Sequence, residues 1–249
     1  MVPAPVGVQC VECVRRRSGG PQPAARRLRL TTDRVSVTGL LLAANVGVWA
    51  LGLVVGGPAE LLQGSPLAPL GGLDAQSVAA GQWWRLVTAG FLHIGVLHLG
   101  MNMIALFALG PGMERALGRA RFAALYLVGL IAASLGALLV SPDSLTVGAS
   151  GAIFALIGAT VVGQRASGID PRRSGIFGLL VINLVFTFVV PGISIGGHVG
   201  GLVGGLVAGA VLFRPRLHPA LGILACAGLA AAAALASLWV AVNPIPIRL

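Results

Sequence analysis

SIGGHVGGLVGGLVAGAVLF, residues 194–213, is an apolar run of twenty residues with an imidazole, His198, near one end. At 1.5 Å per residue such a run covers about 30 Å, the thickness of a bilayer's hydrocarbon core, so the pattern is that of a membrane-crossing helix. Gly197, Gly201, Gly205 and Gly209 recur every fourth residue and form one ridge along that helix, which lets a neighbouring backbone come close. A histidine in such a setting is costly to bury and marks a functional position.

Working outward, six further apolar stretches can be marked, at 38–57, 94–110, 122–141, 147–163, 174–190 and 219–242. The chain is 56% hydrophobic and 10% charged, with 37 glycines, far from the roughly 25% charged composition of soluble domains. The fold class is therefore all-α and polytopic, a six-helix bundle (38–213) followed by a seventh transmembrane helix (219–242). The alternating ten-residue segments of a membrane β-barrel are not seen. A net charge of +10 raises the question of nucleic acid, but the arginines are scattered between the apolar runs instead of forming one basic face, so no nucleic-acid partner is expected.

Arginine placement sets the orientation. Fifteen of the seventeen arginines fall in the amino-terminal segment and in the second, fourth and sixth connections; Arg85 and Arg248 lie opposite. The positive-inside rule then puts the amino terminus in the cytoplasm and the carboxyl terminus outside, in the plasma membrane. Residues 1–34 read as a basic, disordered cytoplasmic tail with no apolar core of a signal peptide. The external connection, residues 58–93, is too long for a simple turn and carries Trp83, Trp84 and Arg85, the pattern of a structured element lying at the membrane interface. Arg85 there is a loop or headgroup contact.

In this orientation the second, fourth and sixth stretches all enter from outside, and each bears polar residues near its start. His98 and Asn102, Ser150 in Gly148-Ala149-Ser150-Gly151, and His198 all come to lie about 5 to 12 Å below the outer surface. A serine hydroxyl becomes a useful nucleophile only when a base within hydrogen-bond reach takes its proton, and histidine is the usual base. The seven acids, Glu12, Asp33, Glu60, Asp74, Glu114, Asp143 and Asp170, all fall outside the marked stretches, so the reading is a Ser-His dyad whose imidazole is held by packing. Phe154, one turn beyond Ser150, is placed to stack on it. His98 and Asn102, spaced i and i+4, offer side-chain donors to an oxyanion, and the Ser150 amide adds another if it lies in a first helical turn. Gly148 and Gly151, with Gly197 and Gly201, permit close contact of the two helices. Asn45, Asn183 and Thr187 read as polar groups that hold helices together.

The full order, H-x4-H-x3-N, then G-x-S-G, then G-H-x-G-G on alternate helices, resembles that of rhomboid intramembrane proteases across residues 38–213. The resemblance implies Ser150 as nucleophile, His198 as base and His98 with Asn102 at the oxyanion. Trp84-Arg85 is similar to the family's tryptophan-arginine pair, and Glu114-x3-Gly118 to its structural turn after the second helix, where Glu114 caps a helix or pairs locally with Arg115 or Arg119. Phe154 stands where some members carry tyrosine, and the seventh stretch matches a six-plus-one layout. The expected activity is endoproteolysis of single-span or polytopic membrane-protein substrates within the bilayer, without a cofactor. Two other classes stay open. One is a catalytically silent rhomboid-like binder of membrane proteins, for which both members of a dyad are superfluous. The other is a transporter, for which inverted repeats and a midplane acid are wanting. Cys10-x2-Cys13 is half of a tetrahedral zinc set, read either as unliganded thiols or as the end of a zinc ribbon like that of some bacterial members, with an incomplete start or a remnant.

Overall fold

A computed structural model of the chain describes residues 2–3, 8–9, 36–59 and 65–243. They divide into an amino-terminal unit up to Val35 and a unit from Ser36 onward. In the first, β1 (Val2–Pro3) pairs antiparallel with β2 (Val8–Gln9), Val2 opposite Gln9. The sequence reading expects no order there; the β-branched valine in each strand favours extended backbone. Cys10, Cys13 and the tail arginines lie outside the described residues, as does Arg248.

Among the described residues, seven long helices build the second unit: α1 (Val37–Gly56), α2 (Gly95–Leu117), α3 (Arg119–Val140), α4 (Ser150–Ala166), α5 (Gly175–Val189), α6 (Ile195–Leu212) and α7 (Pro219–Val242). Five of them, α1, α2, α3, α6 and α7, are long and apolar enough to cross a membrane, while α4 and α5 are shorter apolar helices of 17 and 15 residues. The sequence reading takes all seven as spans; five have that length and α4 and α5 are shorter. The fourth begins at Ser150 and not at 147, because Gly148 has φ +122, a conformation outside the helical region.

Helix α4 lies at the centre. Gly151 through Ala159 are all buried, leaving this stretch no outward face, the mark of a helix enclosed by others. Helix α6 packs against it through Gly201, Gly205 and Gly209: a Cβ at Gly201 would overlap the Gly151 carbonyl, and one at Gly205 the Ala155 carbonyl. The opposite flank of α6 meets α3 through a second ridge, Gly196, Gly200 and Gly204, whose added Cβ atoms would run into Gly136, Ala132 and the Ala132 side chain. An added Cβ on Gly197 would meet the Ser194 hydroxyl first, at 2.9 Å, while the Gly197 carbonyl lies 3.2 Å from a Cβ built on Gly151 of α4. Ser194 caps α6 by accepting from the Gly197 amide at 3.1 Å.

Glu114 ties α2 to α1. The sequence reading ends this stretch at 110, before Pro111, but the helix continues through the proline to Leu117, and Gly118 at φ +78 closes it by donating to the Glu114 carbonyl at 2.8 Å. The carboxylate accepts from the Val37 and Thr38 amides at 2.8 and 2.9 Å and from the Thr38 hydroxyl at 2.7 Å. It therefore caps a distant helix, with Arg119 only at 3.9 Å, and the expected local pairing is secondary.

The connection between α1 and α2 contains short helices at Ala68–Gly71, Ala75–Ala79 and Arg85–Thr88. Arg85 is buried within it, donating to the carbonyls of Gly72 and Pro69 and to the Gln82 side chain, with Asp74 at 3.4 Å. It is a loop contact and not a headgroup contact. Trp84 and its neighbour Trp83 stay exposed. Leu73 and Thr146 exchange both backbone hydrogen bonds, and the Gly148 amide donates to the Ala89 carbonyl at 2.9 Å, so this element is tied to the segment that leads into Ser150.

Candidate active site

Ser150 is the first residue of α4 and His198 the fourth of α6. Because the glycine contact lets α4 and α6 approach at backbone distance, the two side chains meet: His198 Nε2 lies 2.7 Å from Ser150 Oγ. Phe154, one turn along α4, stacks on the imidazole with ring centroids 4.3 Å apart and planes 23° from parallel. His198 is buried, and Ser150 is half-buried.

The serine's position at the start of its helix has an electrostatic consequence. Amides of the first turn have no partner within the helix and point toward its positive end, so the Ser150 N–H is a donor available to an anion next to the hydroxyl. On the other side stands His98. Its Cε1 and Nε2 would each lie 2.7 Å from a Cβ on Gly148, so only glycine leaves room for the ring, and at φ +122 only glycine takes the backbone comfortably. His98 Nδ1 accepts from the Ile94 amide at 3.4 Å, which leaves Nε2 to carry the hydrogen on the edge facing Gly148. Asn102 is buried one turn deeper and spends one amide hydrogen on the His98 carbonyl at 2.9 Å, so a single N–H remains for any further acceptor.

A histidine and a threonine add to what the sequence shows. His93, just before α2, is 1% exposed, with its ring centroid 5.0 Å from that of His98 and neither ring nitrogen partnered among the described residues. Burial, and secondarily the neighbouring His98, hold its imidazole down at about 3, neutral at neutral pH. Thr187 of α5, assigned by sequence to helix-to-helix adhesion, places Oγ1 2.7 Å from His198 Nδ1. The imidazole is thus held by a hydroxyl as well as by packing. Among the described residues no group of three or more His, Cys, Asp or Glu side chains is placed to hold a metal.

A hydroxyl in contact with an imidazole, flanked by a first-turn amide and a second imidazole edge, is suited to acyl transfer. The sequence model of the Rhomboid domain matches residues 80–215, more than half of the chain and the part that holds every one of these groups. The chain belongs to the rhomboid family. Among its relatives are Rhomboid protease GluP of Bacillus subtilis, 35% identical over 153 residues, and the rhomboid-named YdcA of the same organism, 36% identical over 131. RHOMBOID-like protein 4 of Arabidopsis thaliana is 42% identical over 103 residues. These alignments take in 60%, 49% and 41% of this chain and 30%, 63% and 25% of the relatives, so this rhomboid chain spans less than two thirds of each.

Proposed function

We propose that this rhomboid protein is an intramembrane serine endopeptidase that cleaves transmembrane segments of other membrane proteins. The observation that carries the reading is the 2.7 Å contact between Ser150 Oγ and His198 Nε2 in a chain of the rhomboid family. Ser150 attacks the scissile carbonyl carbon, and its proton passes to His198 Nε2. The carbonyl oxygen takes up the developing charge beside the Ser150 amide, the His98 Nε2–H edge and the remaining Asn102 N–H. His198 then returns the proton to the leaving nitrogen, and water repeats the sequence on the acyl-enzyme.

The chain is placed in the plasma membrane with its amino terminus cytoplasmic, its carboxyl terminus outside and the serine near the external leaflet, as the arginine distribution implies. Its partners are the bilayer and single-span or polytopic substrates, and zinc has no part in the chemistry. Cleavage of an epitope-tagged single-span substrate in proteoliposomes tests the reading. The wild-type chain is expected to give two fragments with the cut inside or beside the span, and Ser150→Ala none. Equal cleavage by both would overturn it.

A further inference from the structure

Thr187 Oγ1 has two neighbours at 2.7 Å: His198 Nδ1, and the backbone carbonyl of Asn183 one turn earlier on α5. A hydroxyl owns one hydrogen, and a carbonyl can only accept. Once the threonine hydrogen is given to the Asn183 carbonyl, the contact with Nδ1 is a hydrogen bond only if Nδ1 is the donor. That fixes the tautomer. With its hydrogen on Nδ1, the ring presents Nε2 as a lone pair, which is what the Ser150 hydroxyl 2.7 Å away needs in order to donate. The three contacts form one directed relay: Ser150 O–H to His198 Nε2, His198 Nδ1–H to Thr187 Oγ1, Thr187 O–H to the Asn183 carbonyl.

We propose that Thr187 is the positioning residue of the Ser150-His198 pair, a hydroxyl-and-carbonyl unit on α5 filling the place that a carboxylate fills in a Ser-His-Asp triad. This rests on the protease reading above. The packing of α5 supports a dedicated role: of its fifteen residues only Ile176 and Thr187 are buried, and Thr187 is 1% exposed. A hydroxyl that only satisfies itself within its own helix bonds the carbonyl four residues back and needs no second partner, as the Ser237 to Ala233 and Thr160 to Leu156 contacts illustrate. Thr187 makes that bond and the imidazole contact as well. When His198 takes the serine proton, the positive ring keeps its Nδ1–H in a bond to an oxygen already polarised by the carbonyl behind it.

The test compares wild type, Ser150→Ala, Thr187→Val and Thr187→Ser, full-length in proteoliposomes, with kcat and KM measured on the tagged substrate. Valine keeps the shape and removes the acceptor, so Thr187→Val is expected to lower kcat about 10- to 100-fold with KM changed less than about 2-fold, the scale of losing an orienting partner. Serine restores the oxygen, so Thr187→Ser is expected to keep at least about a third of wild-type kcat. Ring 15N shifts of His198 in the wild-type protein, assigned by difference from His198→Gln, should show hydrogen on Nδ1, a readout that does not depend on how the valine variant folds. Wild-type kcat in Thr187→Val, equal losses in the serine and valine variants, or hydrogen on Nε2 in the wild type would each overturn the inference while leaving the protease reading intact. A wild-type chain whose cleavage survives Ser150→Ala would defeat that reading and this inference together.

Discussion

His98 and Asn102 approach the nucleophile from one face of α2 but are not equivalent donors. The Nε2 edge of His98 faces Gly148 at the level of the Ser150 hydroxyl, whereas Asn102 already spends one of its two hydrogens on the His98 carbonyl. If both serve the oxyanion, His98→Ala should lower kcat about 10²- to 10³-fold, as loss of an oxyanion donor does in soluble serine proteases, and Asn102→Ala should cost less. KM should change little in either variant, because the interaction forms with the developing charge. Single-turnover rates on the tagged substrate check this, and an Asn102 loss larger than that of His98 would reverse the assignment. The meeting of Ser150 with His198 is legible in the sequence: polar residues are expensive in a membrane helix, and the arginine count implies one depth for Ser150, His198, His98 and Asn102. Thr187 is not, because a threonine bonded to its own helix is silent in sequence. Its depth is the available signal, since the arginine distribution implies an outward fifth stretch and Thr187 stands two residues from the end of α5.

At the scale of elements, the site depends on how closely α6 lies against α4. Replacing glycine by alanine within a helix gains about 1 kcal/mol of propensity, so the sign of such a change turns on space. At Gly201 the added carbon would overlap the Gly151 carbonyl, a backbone atom that cannot rotate aside, whereas at Gly228 on α7 nothing lies within 4 Å. Gly201→Ala is therefore expected to be destabilising by about 1 to 3 kcal/mol net and to separate Ser150 from His198, while Gly228→Ala is neutral or stabilising by up to about 1 kcal/mol. Thermal unfolding in detergent with parallel cleavage assays measures both, and a Gly201→Ala protein of wild-type Tm and activity would show that the helices do not meet there. The four-residue glycine period announced one ridge of α6. The second, at Gly196, Gly200 and Gly204, has the same period, and a helix with small residues on two faces is one wedged between two neighbours. Hydropathy alone starts α4 three residues early, because apolar content continues through Val147 and hydropathy does not register a positive φ at Gly148.

Over the whole molecule, the order of helices follows from hydropathy because each apolar run must pair its own backbone groups as a helix wherever lipid surrounds it. The 17-residue α4 escapes the length rule for the same reason in reverse: its Gly151 to Ala159 are enclosed by protein and need not match the bilayer. The segment between α1 and α2 was recognisable as structured from its length and its tryptophans, but its arrangement around Arg85 was not. Its partners are backbone carbonyls of Pro69 and Gly72, which carry no signature in side-chain identity. Glu114 likewise looked local, yet its carboxylate reaches Val37 and Thr38, because helices far apart in sequence are neighbours in the bundle. All of these contacts converge on holding one hydroxyl against one imidazole. The most direct measurement is labelling of the folded, detergent-solubilised chain by a fluorophosphonate, with the adduct located by mass spectrometry. The account predicts an adduct on Ser150 in the wild type, formed at least about 100-fold more slowly in His198→Ala because the base is missing. Equal labelling rates in the two proteins, or an adduct on a serine other than Ser150, would contradict it.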